Sequence, residues 1–305
     1  MKKASIDIGS NSILLLVAEV RDGKLISVIE NESRITGLGR NLDEAGEFIE
    51  EAMEDSLKAL EEYKNICSRA GVASENIIAT ATEASRVAKN SKEFFNIVKR
   101  NFGIDVTVIN GEGEAFYSAR GVLVGEDRLD KDIVIMDIGG ASTEFIALDE
   151  EGDIKYSFSL PVGSVRSTNW LEKNDFKSRF EAAVKPFMER LDNVHAPLLH
   201  CVAGTPTSLA NMHLKNKDFV ENDVHGHILC MEDVVNLVDK YSSSSPEDFL
   251  SEFPFLGKRS HAIRGGLILT KTLGELVKVK EFKVSTYGLR YGTLLEGCIE
   301  EKYVH

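Results

Sequence analysis

The stretch DIGSNSILLLVAEV (residues 7–20) is echoed 130 residues later by DIGGASTEFIAL (residues 137–148), with Asp7/Asp137, Ile8/Ile138, Gly9/Gly139 and Ser12/Ser142 at matching offsets. In each copy a short turn of Gly, Ser, Asn or Ala lies between apolar, β-rich segments: residues 4–8 and 13–20 in the first, 133–138 and 143–148 in the second. That pattern predicts a β-hairpin opening each half of the chain, with the repeated residues in its turn. Glycine lets backbone amides converge on one point, and Ser or Asn adds side-chain donors, so each turn is a candidate phosphate nest. One such loop is a weak signal, since Gly-Ser turns also simply connect strands. Two matched loops, each following a strand that carries an Asp near its end, are a stronger one.

Working outward, strand signals alternate with helical periodicity in both halves. FIEEAMEDSLKALEEYKNICSRAG (residues 48–71) and NSKEFFNIVKRNFG (90–103) place apolar residues at helical spacing and stop at glycine. KSRFEAAVKPFMERLDNV (177–194) and MEDVVNLVDKYSS (231–243) read as helices, and SSPEDFLSEF begins one with Ser245 as N-cap and Pro246 in the first turn. The run Ser242–Ser245 is therefore read as loop and cap, not as a phosphorylation cluster. The polar, Gly-containing residues 122–131 mark the expected boundary between two α/β units.

The 305 residues exceed a usual single core, and 43% hydrophobic with 28% charged residues describes a globular chain. The longest unbroken apolar run near the N-terminus covers only residues 13–18, too short for a signal sequence or a membrane span. Cys67, Cys201, Cys230 and Cys298 are scattered without a C-x-x-C, which fits a reducing cytoplasm. A net charge of -13 argues against nucleic acid and anionic membranes as partners, while leaving room for a polyanion held by locally concentrated cations. Candidates for that concentration are Arg34 and Arg40 around GLG, and Lys258, Arg259 and Arg264 in GKRSHAIRGG; dispersed surface charges are the equal alternative. His225 and His227 are close in sequence but lack a third ligand at zinc spacing.

Taken in order, DIGSNS at Asp7, TEASRVAKN from Thr82, NGEGEA from Asn110, DIGGASTE at Asp137, SLPVGSVR from Ser159, VAGTPTSLA from Val202, DVHG from Asp223 and VSTYGLRYG from Val284 resemble the exopolyphosphatase/guanosine pentaphosphate phosphohydrolase (Ppx/GppA) family, within the actin, Hsp70 and sugar-kinase superfamily. The resemblance implies an α/β fold of two actin-like (ASKHA, ribonuclease H-like) lobes with a cleft between them. Residues 1–124 would form the first lobe, with the first phosphate loop and the catalytic Glu. Residues 125–305 would form the second, with the second and third loops, the last helix packing back on lobe one.

The resemblance also implies roles. Glu114 is the general base that activates the attacking water, with Glu112 as runner-up. Asp137 and Glu144 are the acids associated with Mg2+, joined by Asp7 directly or through water; Mn2+ is the alternative ion and K+ a candidate stimulator. Arg86 is a phosphate contact, set against the plainer reading of a surface arginine paired with Glu83. Ser10, Asn11, Ser12, Gly139, Gly140, Ser142, Gly204 and Thr205 are phosphate-facing donors. The chemistry agrees with the residue types: phosphoanhydride hydrolysis needs a positioned water, a carboxylate for its proton and cations for the phosphoryl oxygens.

Three positions depart from the family pattern. Ala141 replaces the third glycine of the second loop and must avoid positive φ; Pro206 removes a backbone donor from the third; Thr286 stands where an acid is common. The expected activity is exopolyphosphatase, acting on inorganic polyphosphate in the cytoplasm, with guanosine pentaphosphate (pppGpp) 5′-phosphohydrolase as the alternative. An ATPase or kinase on the same scaffold is suggested by IRGGLIL, with Gly265 and Gly266, and a non-catalytic alarmone-binding regulator is the third class. Homodimerisation is left open.

Overall fold

The computed structural model describes residues 1–124 and 133–305, so the boundary expected at 122–131 lies, beyond residue 124, outside the described residues. Two compact units result, Met1–Asp127 with Tyr287–His305, and Arg128–Thr286. The expectation placed residues 125–305 in the second lobe with the last helix packing back on the first; by contacts Tyr287–His305 group with the first unit.

In the first unit β1 (Lys2–Ile8), β2 (Ser12–Arg21), β3 (Lys24–Ile35), β4 (Ile77–Ala81) and β5 (Val106–Val108) form one sheet in the order β3-β2-β1-β4-β5. β1–β2 and β2–β3 are antiparallel, whereas β4 and β5 run parallel to β1. In the second, β6 (Ile133–Ile138), β7 (Thr143–Leu148), β8 (Ile154–Leu160), β9 (Leu198–Val202), β10 (Ile228–Cys230) and β11 (Glu281–Val284) take the order β10-β11-β9-β6-β7-β8. Apart from the antiparallel edge strand β10, β8-β7-β6-β9-β11 repeats the directions of β3-β2-β1-β4-β5. The repeated sequence thus reports a repeated unit: both are actin-like, with β1 and β6 at the centre of their sheets.

The expected helices form for the expected reasons. Glu50–Ala70 buries Ala52, Ala59, Leu60, Tyr63, Ile66 and Cys67 and stops at Gly71, whose φ of 76° lets its N–H reach back to Cys67 O. Ser91–Phe102 buries Phe94, Phe95 and Val98 and stops at Gly103. Ser245 caps Pro246–Glu252: its hydroxyl accepts from Asp248 N, and the Asp248 carboxylate accepts from Ser245 N. The helix expected over 177–194 is interrupted. It splits into Phe176–Val184, a 3-10 turn Lys185–Phe187 and Met188–Asp192, because Pro186 has no N–H to continue the ladder.

Within the first unit, helix Leu289–Glu296 lies against helix Gly111–Val122 backbone to backbone. A Cβ on Gly292 would stand 1.9 Å from Tyr117 O, and one on Gly121 would stand 2.0 Å from Gly288 O. No helix among the described residues is long and apolar enough to cross a membrane.

Candidate active site

In the first unit, three segments converge on one carboxylate. Asn110 caps helix Gly111–Val122, its Oδ1 accepting from Gly113 N at 2.9 Å while its Nδ2 donates to Lys302 O at 2.9 Å. Glu114 follows in the first turn and is 8% exposed, whereas Glu112, the runner-up, is exposed. Gly113 is needed because a Cβ there would meet the Tyr303 side chain at 2.7 Å, whereas a Cβ on Gly111 would meet nothing.

Arg86, on the short helix Glu83–Val87 after β4, donates through Nη1 to Glu114 Oε2 at 2.9 Å and to Ile109 O at 2.8 Å. Its Nε and Nη2 donate to Glu83 Oε2 at 3.2 and 2.8 Å. The pairing with Glu83 that sequence reasoning weighed against a functional role is present, but it is half of a buried bridge between two carboxylates. Four of the five guanidinium N–H groups are spent, and one Nη2 N–H remains. Burial works against the charge of Arg86, yet the carboxylates of Glu114 and Glu83 outweigh it and hold the guanidinium above its ordinary range. The Arg86–Glu114 tie had no signal in the sequence, where the two are 28 positions apart.

The first loop, Gly9–Ser12, closes through Gly9 N to Ser12 O at 2.9 Å. It is braced from behind: Gly39 N donates to Ser10 O at 2.7 Å, and Thr36 N and Gly37 N donate to Asn11 O at 3.1 and 3.0 Å. The Ser10, Asn11 and Ser12 carbonyls thus all accept backbone hydrogen bonds, and Ser10 is buried. Asp7 is half-buried on β1, across from Leu14. Arg34 and Arg40, proposed to flank a polyanion path, are ion-paired here: Arg34 with Glu62 at 2.6 Å and Glu32 at 2.7 Å, Arg40 with Glu51 at 3.1 Å.

The second unit repeats the device with different chemistry. Gly139 N donates to Ser142 O at 3.0 Å, matching the first turn to 0.1 Å, and Ala141 is outside the positive-φ residues, so its side chain is accommodated. The brace is the segment after β8: Ser164 N donates to Gly139 O and Val165 N to Gly140 O, both at 2.9 Å, and a Cβ on Gly163 would stand 2.4 Å from Gly140 C. Arg166 Nη1 donates to Ala141 O at 2.9 Å. Where the first hairpin sets Leu14 across from Asp7, the second sets Glu144 across from Asp137, giving two carboxylates side by side on adjacent strands. Glu144 is 1% exposed, and its Oε1 accepts from Ser159 Oγ at 2.6 Å.

The third loop follows β9. Ala203 adopts φ 76°, ψ -177°, a conformation that is nearly confined to glycine and costs about 1–3 kcal/mol. It turns the chain so that helix Gly204–His213 starts with free amides at Gly204 and Thr205. Pro206 is the third helical residue, whose N–H would have had no helical partner, so the proline costs the helix nothing. A residue not singled out for this loop is Arg259: a Cβ on Gly204 would stand 2.9 Å from its Cζ, and its Nη1 donates to Ser208 Oγ at 3.1 Å. Gly265 and Gly266 serve packing, a Cβ there standing 2.3 Å from Thr168 Oγ1 and 2.6 Å from Thr205 Cγ2 respectively.

Among the described residues no set of three or more His, Cys, Asp or Glu converges to hold a metal. His227 instead pairs with His213 at 3.0 Å, and His225 Nδ1 accepts from Thr286 N at 3.2 Å. Asp137 with Glu144 remains a two-carboxylate set of hard oxygen donors. That suits Mg2+, which takes one or two carboxylates and completes its shell with water and substrate phosphate.

The model of the Ppx/GppA phosphatase family matches residues 16–300. The chain belongs to the Ppx/GppA family. Ppx/GppA relatives include a bifunctional 3-dehydroquinate synthase/phosphatase of Fusobacterium nucleatum, 31% identical over 98% of this chain and 47% of its own length. Another is exopolyphosphatase 2 of Mycobacterium tuberculosis, 26% identical over 96% of this chain and 97% of the relative. A guanosine-5′-triphosphate,3′-diphosphate pyrophosphatase of Vibrio parahaemolyticus is 28% identical over 96% of this chain and 58% of its own length. The chain thus spans about half of the first relative and nearly all of the second. Among solved structures, an exopolyphosphatase from Cytophaga hutchinsonii superposes with a TM-score of 0.86 at 25% identity, covering 97% of this chain and 98% of that one. The Aquifex aeolicus Ppx/GppA member gives 0.74 at 32% identity, covering 97% of each.

Proposed function

We propose that this Ppx/GppA chain is an exopolyphosphatase that removes the terminal phosphate of inorganic polyphosphate with Mg2+. The observation that carries the reading is the buried Arg86–Glu114 pair at 2.9 Å, with side chains 9% and 11% exposed. It holds a carboxylate still at a helix start, in the motif expected to supply the base. Glu114 takes a proton from water; the water oxygen bonds to the terminal phosphorus, the bridging P–O bond breaks, and its electron pair stays with the shortened chain. Arg86 positions Glu114 and offers its remaining N–H to a phosphoryl oxygen. Ser10, Asn11 and Ser12, and Gly139, Gly140, Ser142, Gly204 and Thr205, supply donors to phosphate, with Arg259 added beside Gly204. Asp137 and Glu144 would hold Mg2+ in the second unit, where the ion would supply positive charge for the non-bridging phosphoryl oxygens. Mn2+ is the substitute ion, and K+ is tested as a stimulator.

The second reading is pppGpp 5′-phosphohydrolase, favoured by the Vibrio relative and served by the same base and ion. The test is phosphate release from long polyphosphate, short polyphosphate, pppGpp and ATP in parallel, for wild type and Glu114→Gln. Release from polyphosphate above the other three, lost in the variant, supports the proposal. Preference for pppGpp selects the second reading, preference for ATP an ATPase, and no release from any substrate a non-catalytic alarmone-binding regulator.

A further inference from the structure

A cavity of about 610 Å³ opens in the second unit beside the far end of helix Gly204–His213. Ten residues at about 1.5 Å each put the two ends of that helix about 15 Å apart, so this cavity is not the third phosphate loop. Its volume falls in the range of small-molecule sites. Leu237, Tyr241 and Phe253 supply an apolar wall, the two rings meeting edge to face at 5.6 Å. The polar lining comprises His213, Lys215, Lys217, Asn236 and Lys240 against Asp233 and Glu252.

The charges are spent unevenly. Glu252 is neutralised by Lys240 at 2.8 Å and by the Tyr241 hydroxyl at 2.5 Å. Asp233 caps its helix, accepting from Cys230 N at 2.8 Å, and stands 3.5 Å from His213 Nε2. Lys217 donates to a backbone carbonyl, Glu252 O, at 2.6 Å, and its charge also acts on the Glu252 carboxylate that Lys240 already holds. Lys215 sits at a left-handed position, φ 60°, just past the helix end, where glycine is the ordinary choice. Among the described residues its ammonium and the Asn236 amide have no protein partner. On a chain of net charge -13, that leaves the Lys215 ammonium and an amide, with Lys217 shared between Glu252 and the cavity, beside an aromatic wall.

We infer that this cavity binds an aromatic organic phosphate of nucleoside monophosphate size, its phosphate on Lys215, Lys217 and Asn236 and its ring against Leu237, Tyr241 and Phe253. Such a ligand has no phosphoanhydride to cleave, so the site stands apart from the proposed reaction. The experiment is isothermal titration of the full chain with AMP, adenosine and inorganic phosphate separately, in wild type, Lys215→Glu, Asn236→Asp and Glu114→Gln. AMP is expected to bind wild type and Glu114→Gln equally, with adenosine and phosphate each weaker. Lys215→Glu and Asn236→Asp are each expected to weaken AMP by about tenfold or more, as loss of a charge-assisted contact does. Asn236→Asp preserves shape, so it reports binding even if Lys215→Glu disturbs the helix end. No AMP binding by wild type, equal affinity in both charge variants, or phosphate binding as tightly as AMP overturns the inference.

Discussion

At the scale of single residues, the bridge Glu83–Arg86–Glu114 makes two separable predictions. Glu114→Gln keeps the shape of the site and removes the proton acceptor, so kcat for phosphate release should fall by about 10²- to 10⁴-fold with KM little changed. Arg86→Gln strands two carboxylates that shared one cation, and the cost to stability should be about 3–5 kcal/mol, read as a drop in denaturation midpoint. Glu114 was singled out through the resemblance that NGEGEA carries; the local reasons around it, the Asn110 cap, the close packing at Gly113 and the first-turn position, are seen only in the fold. What Arg86 does was only half legible. The pairing with Glu83 is three residues away on one helix, but the tie to Glu114 exists only after β4 and β5 have brought the segments together. Arg259 was missed as a partner of the third loop for the same reason, lying 51 positions from Ser208.

At the scale of elements, the matched loops depend on what stands behind them. Gly163→Ala places a methyl group into the Gly140 backbone and should cost about 1–3 kcal/mol, with activity falling further than stability because the loop itself must move. Gly111→Ala, with nothing near its Cβ and no positive φ, is the control: melting temperature and activity should stay at or slightly above wild type. Two imidazoles add a pH dependence. Burial, above all, holds His225 and His227 below the ordinary range, with His213 also lowering His227. The unfolded chain therefore binds those protons first as pH falls. Their contribution is complete above the unfolded imidazole range and is lost as pH drops through the folded one. Melting temperature should decline from pH 7.5 toward 5.5, less steeply in His227→Gln. The hairpins and long helices were legible because apolar spacing and glycine stops are local. The break at Pro186 is also written locally, in a residue that cannot donate, and the helical pattern around it masked it.

At the scale of the molecule, the duplication was visible in twelve residues, and the resemblance brought the last helix back to the first lobe without showing what holds it there. Tyr287–His305 join the first unit through contacts that no spacing rule reveals: Gly292 against Tyr117, Ser5 Oγ paired with Thr293 Oγ1 at 2.7 Å, and Ile109 bridged to Val304. Truncation after Thr286 should abolish phosphate release although it removes none of the proposed site residues, with cooperative melting of the first unit lost. Thiol accessibility offers an independent check. Cys298 is exposed, while burial pushes the Cys67 thiol up to about 11 and raises Cys201 as well, so alkylation at pH 8 should mark Cys298 and spare Cys67 and Cys201 until the protein unfolds.

The clasp on Asn110 also bears on birth at the ribosome. Domains generally fold as units while synthesis proceeds from the N-terminus. Here Asn110 N waits for Tyr303 O, and Asn110 Nδ2 for a carbonyl 192 positions downstream. A nascent chain can fold Arg128–Thr286 before the helix carrying Glu114 receives its last support. The proposed hydrolase would therefore become competent only when the segment around Tyr303 has left the exit tunnel and docked.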